Sequence, residues 1–253
     1  MNILLSSLAF RSARDPSIAR LGELGFMGLE GVLTKIAPWR ESTKQLVCDY
    51  VGWLSESGLC MPSLQAIFHD SGIADFSHES ECIEHLEKVV GLASAIGSRV
   101  LVLGAPRMRT HGSLRGLSSV AREVDPLLRE NGMVLCIEPN CAMYGAGYLR
   151  TPSEIVDFIL LNELTHVRTM IDTFNLEYEG LECSDEFRKN EPKFAHAHFS
   201  GENLKPLLFS DSHRALVQNL TCFYGFLTYE LGECEEPLVE AKSFCRFIRS
   251  STG

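Results

Sequence analysis

Four apolar runs in the second half of the chain each lead to a residue able to hold a cation or move a proton. Residues 133–137 run into Glu138, 167–171 into Asp172, 194–199 contain His198, and 226–231 contain Glu230. A lone carboxylate at a strand end is usually solvated, and a histidine in an apolar strand is usually a hydrogen-bonded core residue. The joint pattern differs. Three carboxylates brought together repel and desolvate one another unless a cation sits among them. Oxygen-rich ligands with a single imidazole suit one divalent ion, Mn2+, Co2+, Mg2+ or Zn2+.

For four residues at the ends of successive runs to meet, the runs must be parallel strands with a common end. One local pattern recurs: an amphipathic segment ends in a glycine and an apolar run follows. It occurs at Gly25, Gly58, Gly97, Gly132 and Gly225, at intervals of 33, 39, 35 and 93 residues. Glycine is the usual residue after a helix because it accepts a left-handed conformation without a Cβ clash. A strand–helix unit of roughly 32 residues fits eight times into the chain. Eight runs read as strands, at 3–8, 26–29, 62–68, 100–103, 133–137, 167–171, 194–199 and 226–231. Between them, Ile83, Leu86, Val89, Val90, Ala93 and Ile96 follow the helical period. Leu238, Ala241, Phe244, Cys245 and Ile248 predict a C-terminal helix. Asp15-Pro16 and Thr151-Pro152-Ser153-Glu154 are helix starts. Pro126, inside an otherwise helical stretch at 114–130, predicts a break or kink. No Gly-x-Gly-x-x-Gly follows the first strand, which disfavours an open nucleotide-binding sheet. The expected fold class is α/β, a (β/α)8 barrel forming a single domain over residues 1–253.

The 253 residues are 45% hydrophobic and 22% charged, which excludes disorder and a disulfide miniprotein. Asp and Glu outnumber Lys and Arg by 33 to 23, so the chain repels polyphosphate and no nucleic-acid partner is expected. Nine cysteines, an odd number without a Cys-x-x-Cys, predict reduced thiols and a cytoplasmic setting. The opening Met1-Asn2-Ile3-Leu4-Leu5 lacks a basic n-region, and no apolar run approaches the roughly 20 residues that span a bilayer. Neither a signal peptide nor a membrane partner is expected.

The residues after these strands resemble the xylose-isomerase-like TIM barrels, a superfamily of sugar isomerases, ketose epimerases and apurinic endonucleases. The resemblance runs from the first strand to the last helix, with its motifs concentrated in the C-terminal half. It is strongest in Glu138-Pro139-Asn140-Cys141-Ala142-Met143-Tyr144-Gly145, which matches the Glu-Pro-x-x-x-x-Tyr-Gly of a sugar-phosphate isomerase/epimerase sub-group. His198-Phe199-Ser200-Gly201-Glu202-Asn203 and Asp211-Ser212-His213 are similar to two further motifs of that sub-group. The resemblance implies metal ligands at Glu138, Asp172, His198 and Glu230, and substrate contacts at Glu30, His69, Tyr144, Glu202 and His213. Two positions depart from the epimerase pattern. Asn175 stands where many have histidine, and Lys205 is the nearest base where an arginine is common. Both are expected to contact substrate. Arg107 and Arg109 after strand four, with Arg150 and Lys205, offer charge for a phosphate or carboxylate. Trp39 and Phe68 offer an apolar wall for a sugar face. His196, on the same side of its strand as His198, is expected to point into the barrel behind it.

The implied activity is metal-dependent isomerisation or epimerisation of a small polyhydroxy carbonyl substrate, with or without a phosphate, through an enediolate: the ion polarises the carbonyl, and Glu138 and Glu230 take and return the proton on the neighbouring carbon. A dehydrating lyase is a close relative, because the same enediolate can expel a β-hydroxyl. A homo-oligomer is compatible with this reading. The alternatives are an apurinic-endonuclease-like phosphodiesterase, which the charge of −10 and the lack of further metal-binding histidines disfavour, and a non-catalytic sugar-binding barrel.

Overall fold

In the computed structural model, which describes residues 1–252, eight parallel strands close into a barrel in sequence order. The strands are β1 (Asn2–Ser6), β2 (Gly28–Gly31), β3 (Cys60–Leu64), β4 (Val100–Leu103), β5 (Val134–Ile137), β6 (Val167–Asp172), β7 (Phe194–Ser200) and β8 (Phe226–Glu230). The helices are α1 (Leu21–Leu24), α2 (Leu33–Ile36), α3 (Lys44–Ser55), α4 (Glu79–Ile96), α5 (Leu114–Glu130), α6 (Pro152–Leu161), α7 (Thr173–Tyr178), α8 (Cys183–Asn190), α9 (Asp211–Asn219) and α10 (Pro237–Thr252). The (β/α)8 expectation therefore holds, and β8 closes on β1 through register pairs such as Ile3 with Leu227.

Two cores follow from the alternation of side chains along each strand. Leu135, Ile137, Ile171, Ala197, Phe199, Leu227 and Tyr229 point outward and belong to one large cluster with the helices. Val100, Val102, Cys136 and Met170 form a separate small cluster. Cys136 and Met170 each lie two residues before a candidate ligand, so the barrel interior beneath the mouth is apolar on the β4–β6 side.

Several local expectations need correction. β3 ends at Leu64, short of residue 68, because Ala66 adopts a left-handed φ of 51° that breaks the extended chain. Pro126 does not break α5, which continues to Glu130. The missing N–H there removes one helical bond, and burial of Leu117, Val120, Ala121, Val124 and Leu128 on the same helix offsets a cost of about 3 kcal/mol. Gly25, Gly58, Gly97 and Gly132 do take positive φ, from 61° to 104°. Gly225 does not end a helix. An added Cβ there would lie 2.4 Å from the Ala195 carbonyl oxygen, so this glycine admits close approach of the chain entering β8 to β7. Asp15-Pro16 opens a 3-10 turn, Pro16–Arg20, before α1. Among the described residues no helix is long and apolar enough to cross a membrane.

Candidate metal centre

Glu138 follows β5, Asp172 ends β6, His198 lies within β7 and Glu230 ends β8. Parallel pairing sets Asp172 beside His198 and His198 beside Thr228, so the upper ends of these strands share one level. One ligand atom from each of Glu138, Asp172, His198 and Glu230 lies within 4.8 Å of the others. His198 Nδ1 is at the middle, 3.2 Å from Glu138 Oε1, 3.3 Å from Glu230 Oε2 and 3.9 Å from Asp172 Oδ2.

Each of the first three groups is held from behind. Asp172 Oδ1 accepts from the backbone N–H and the side-chain amide of Asn175, both at 2.7 Å, and Oδ2 accepts from Ser200 Oγ at 2.8 Å. Glu138 Oε2 accepts from Asn140 Nδ2 at 2.8 Å. Below His198, the fully buried Glu30 places Oε1 3.1 Å from His198 Nε2 and Oε2 2.7 Å from His196 Nε2, and Thr228 Oγ1 donates to Oε2. Such partners fix the rotamer of a ligating side chain and the ring nitrogen it presents. Room is made by Gly104, where an added Cβ would lie 2.5 Å from Glu138 Oε2.

The electrostatics fit a cation. Burial and the neighbouring Glu138 and Glu230 raise the proton affinity of Asp172 well above the ordinary aspartate value. Burial likewise raises that of Glu230, against the pull of His198. Burial also raises that of Glu138, but the His198 and Asn140 hydrogen bonds outweigh it and leave the group below the ordinary value. Burial lowers the proton affinity of His198, while Glu30 and Glu230 raise it and prevail. Asp172 and Glu230, whose ionisation is resisted, and Glu138, whose ionisation is favoured, converge with an imidazole nitrogen on one space and form a donor set for a divalent ion.

The other predicted residues divide. Tyr144 lies half-buried near the cluster, its hydroxyl accepting from Asn203 N at 2.9 Å, and burial raises its proton affinity, with Asp172 and Glu230 adding to the effect. His69 and Arg107 line a cavity of about 430 Å3 between the loops after β3 and β4. Glu202 and Lys205 are exposed on the turn after β7. Arg150 lies 3.8 Å from Glu179.

Four expectations are corrected. Glu30 does not reach the mouth, because it is buried beneath His198 with its oxygens held by His198 and His196. Asn175 is buried with its donors on Asp172 and its carbonyl oxygen accepting from Cys141 N, so it orients a ligand. His213 packs near Phe199 on the outer face of β7, where its ring caps α9 by accepting from Ser210 N. Arg109 is fully buried and donates to backbone carbonyls, which withdraws it from any anion. Phe68, which with Trp39 flanks the His85 ring, also lines the cavity shared by His69 and Arg107. His196 does lie in the barrel behind His198.

Sequence reasoning missed Asn140, Ser200 and Thr228. Each stands two residues from a ligand, so the two-residue strand period was a usable signal for them.

A family model described as xylose isomerase-like TIM barrel matches residues 18–231. A D-psicose 3-epimerase of Enterocloster bolteae is 32% identical over 97 residues, which cover 38% of this chain and 30% of that protein. The match thus spans less than a third of the relative's length. A solved 3-keto-D-glucoside 4-epimerase from E. coli has a TM-score of 0.75 at 18% identity, with 99% of both chains covered. A D-allulose 3-epimerase from Methylomonas sp. has a TM-score of 0.79 at 15% identity, covering 99% of this chain and 97% of that one. At these identities the structural likeness establishes the fold.

Proposed function

Since the chain belongs to the xylose isomerase-like TIM barrel family, we propose that it is a metal-dependent isomerase or epimerase of a sugar or sugar phosphate. The observation that carries this reading is the convergence of Glu138, Asp172, His198 Nδ1 and Glu230 within 4.8 Å at the C-terminal mouth of the barrel. The sugar epimerases among its relatives support the substrate class.

A divalent ion held by these four residues would supply Lewis acidity, polarising the substrate carbonyl and lowering the pKa of the neighbouring C–H. The chain's own groups do the rest. Asp172 is pinned on both oxygens and serves as a ligand rather than a base. Glu138 and Glu230 flank His198 and form the acid–base pair. One takes the proton from the carbon beside the carbonyl, leaving an enediolate. Return of a proton to the opposite face of that carbon yields an epimer, and return to the former carbonyl carbon yields the aldose–ketose isomer. Tyr144, His69, Arg107, Glu202 and Lys205 lie on loops that follow the strands and are proposed to contact the substrate's remaining oxygens or phosphate.

The test is proton exchange. Ketoses, aldoses and their phosphates, D-psicose among them, are incubated with the Mn2+-loaded protein in D2O and followed by NMR. Deuterium entering at the carbon next to the carbonyl is the expected result. Turnover without solvent label would replace the enediolate with a hydride shift, and no turnover with any of these substrates would favour a binding role.

A further inference from the structure

Arg109 sits on the loop after β4 and is 0% exposed, which is costly for a permanent cation. All four of its acceptors are uncharged oxygens. Nη1 donates to Leu149 O at 2.9 Å, and the two hydrogens of Nη2 are shared among Gly104 O at 2.5 Å, Glu138 O at 2.9 Å and Asn140 Oδ1. A guanidinium has donors only, so it dictates which end of the Asn140 amide it meets. With Oδ1 turned to Arg109, Nδ2 meets Glu138 Oε2 at 2.8 Å. A flipped amide would set NH2 against a cation and C=O against a carboxylate, and a buried site screens neither repulsion.

The consequence falls on Glu138. Its Oε2 is pinned by Asn140, and Oε1 is left facing His198 Nδ1 at 3.2 Å. The same guanidinium holds the carbonyl of Gly104, the residue whose missing Cβ makes room for Oε2. Building on the metal-site reading above, we infer that Arg109 is a positioning residue. Through the Asn140 amide it sets the carboxylate orientation in which Glu138 offers Oε1 to a divalent cation. Arg109 thereby also gains a compensating negative charge one amide away, which accounts for a buried arginine bonded only to neutral oxygens.

The experiment is a double-mutant cycle on Mn2+ affinity, measured by titration calorimetry with the chelator-stripped full chain and Mn2+ alone. Arg109→Lys removes the planar fork, and Asn140→Leu removes the amide at similar volume. Each single change is expected to weaken Mn2+ binding by about 10–100-fold. In the Asn140→Leu background, Arg109→Lys is expected to change the affinity by no more than about twofold, because the link it acts through is already gone. A merely structural arginine would lower the melting temperature and weaken binding by the same factor in both backgrounds, and that result overturns the inference. Should Arg109→Lys fail to fold, Asn140→Leu alone decides, and unchanged Mn2+ affinity in it overturns the inference. Wild-type protein that takes up no Mn2+ overturns the metal-site reading and this inference together, whereas wild-type binding with additive losses overturns this inference alone.

Discussion

The Glu30 carboxylate lies beneath the His198 ring, with Oε1 3.1 Å from Nε2, and so leaves Nδ1 to face Glu138 and Glu230. Glu30 itself is held well below the ordinary glutamate value, since His196 and His198 outweigh the effect of its burial. The carboxylate accepts from three side chains at once, and an amide cannot do the same without turning its NH2 toward one of them. Glu30→Gln is expected to cost about 3–5 kcal/mol of unfolding free energy and to weaken Mn2+ binding tenfold or more. Denaturant titration and calorimetry check both, and a variant as stable as wild type would count against the network.

Glu138→Gln and Glu230→Gln each keep the side-chain volume and an oxygen donor but remove a base. Turnover in each should fall by roughly 10²–10⁴-fold with little change in substrate affinity. Steady-state kinetics on the substrate found by the D2O screen decide, and undiminished kcat in both variants would remove the acid–base assignment.

Metal removal should abolish turnover while the barrel remains folded. Mn2+ at about one hundred times its Kd stabilises the native state by about 2.7 kcal/mol, which corresponds to a melting-temperature rise of roughly 5–10 °C. Thermal scans with and without chelator measure it. Asp172→Ala should eliminate most of the rise, since it removes one ligand and relieves the crowding of carboxylates.

Gly104→Ala tests the close approach at the mouth. The new methyl group would lie 2.5 Å from Glu138 Oε2, and the part able to move is the carboxylate. The fold should survive with a small stability change, while Mn2+ affinity falls because Glu138 is pushed out of line. Equal affinity in the variant and wild type would show that Glu138 does not need this position.

The pH dependence of stability has a separate source at Asp125. Its carboxylate accepts from Thr165 N at 3.0 Å, Thr165 Oγ1 at 2.7 Å and His166 N at 2.6 Å, tying α5 to the entry of β6. Burial raises its proton affinity, but these bonds outweigh burial and leave it below the ordinary aspartate value. A carboxylate lowered in the folded state stabilises above its unfolded pKa, roughly 3.9, and that stabilisation is lost as pH falls through the lower folded value. Asp125→Ala should therefore be less stable than wild type by on the order of 1 kcal/mol at pH 7. The gap should narrow in melts run at successively lower pH below the unfolded value. A gap constant across that range would assign the effect to packing.

The strands and the four candidate ligands were legible because both depend on local order. An apolar run ended by an acid or histidine reports a strand whose end is polar, and repetition of that unit reports a barrel with one mouth. Glycines with positive φ after helices were legible for the same reason: the requirement belongs to one residue's backbone. Glu30 shows where local order stops. It ends its run as Glu138 does, yet it accepts from His196 and His198, 166 and 168 residues away in the chain, and never reaches the mouth. Strand stagger decides that difference, and stagger is set by pairing between strands.

Tertiary structure likewise decided Arg109, Asn175 and His213, which sequence reading placed at the mouth. A long polar side chain can turn to solvent, to a ligand or to a buried carbonyl, and the choice depends on which unpaired groups distant segments bring within reach. Arg109 found Leu149 O and Glu138 O, 40 and 29 residues away. His213 packs near Phe199 on β7, 14 residues back in the chain, which keeps its ring away from the mouth. The sequence by itself determined which chemical groups the chain could bring to the barrel mouth. Only the closed barrel decided which of them meet there, because burial leaves each polar group to find a partner inside the fold.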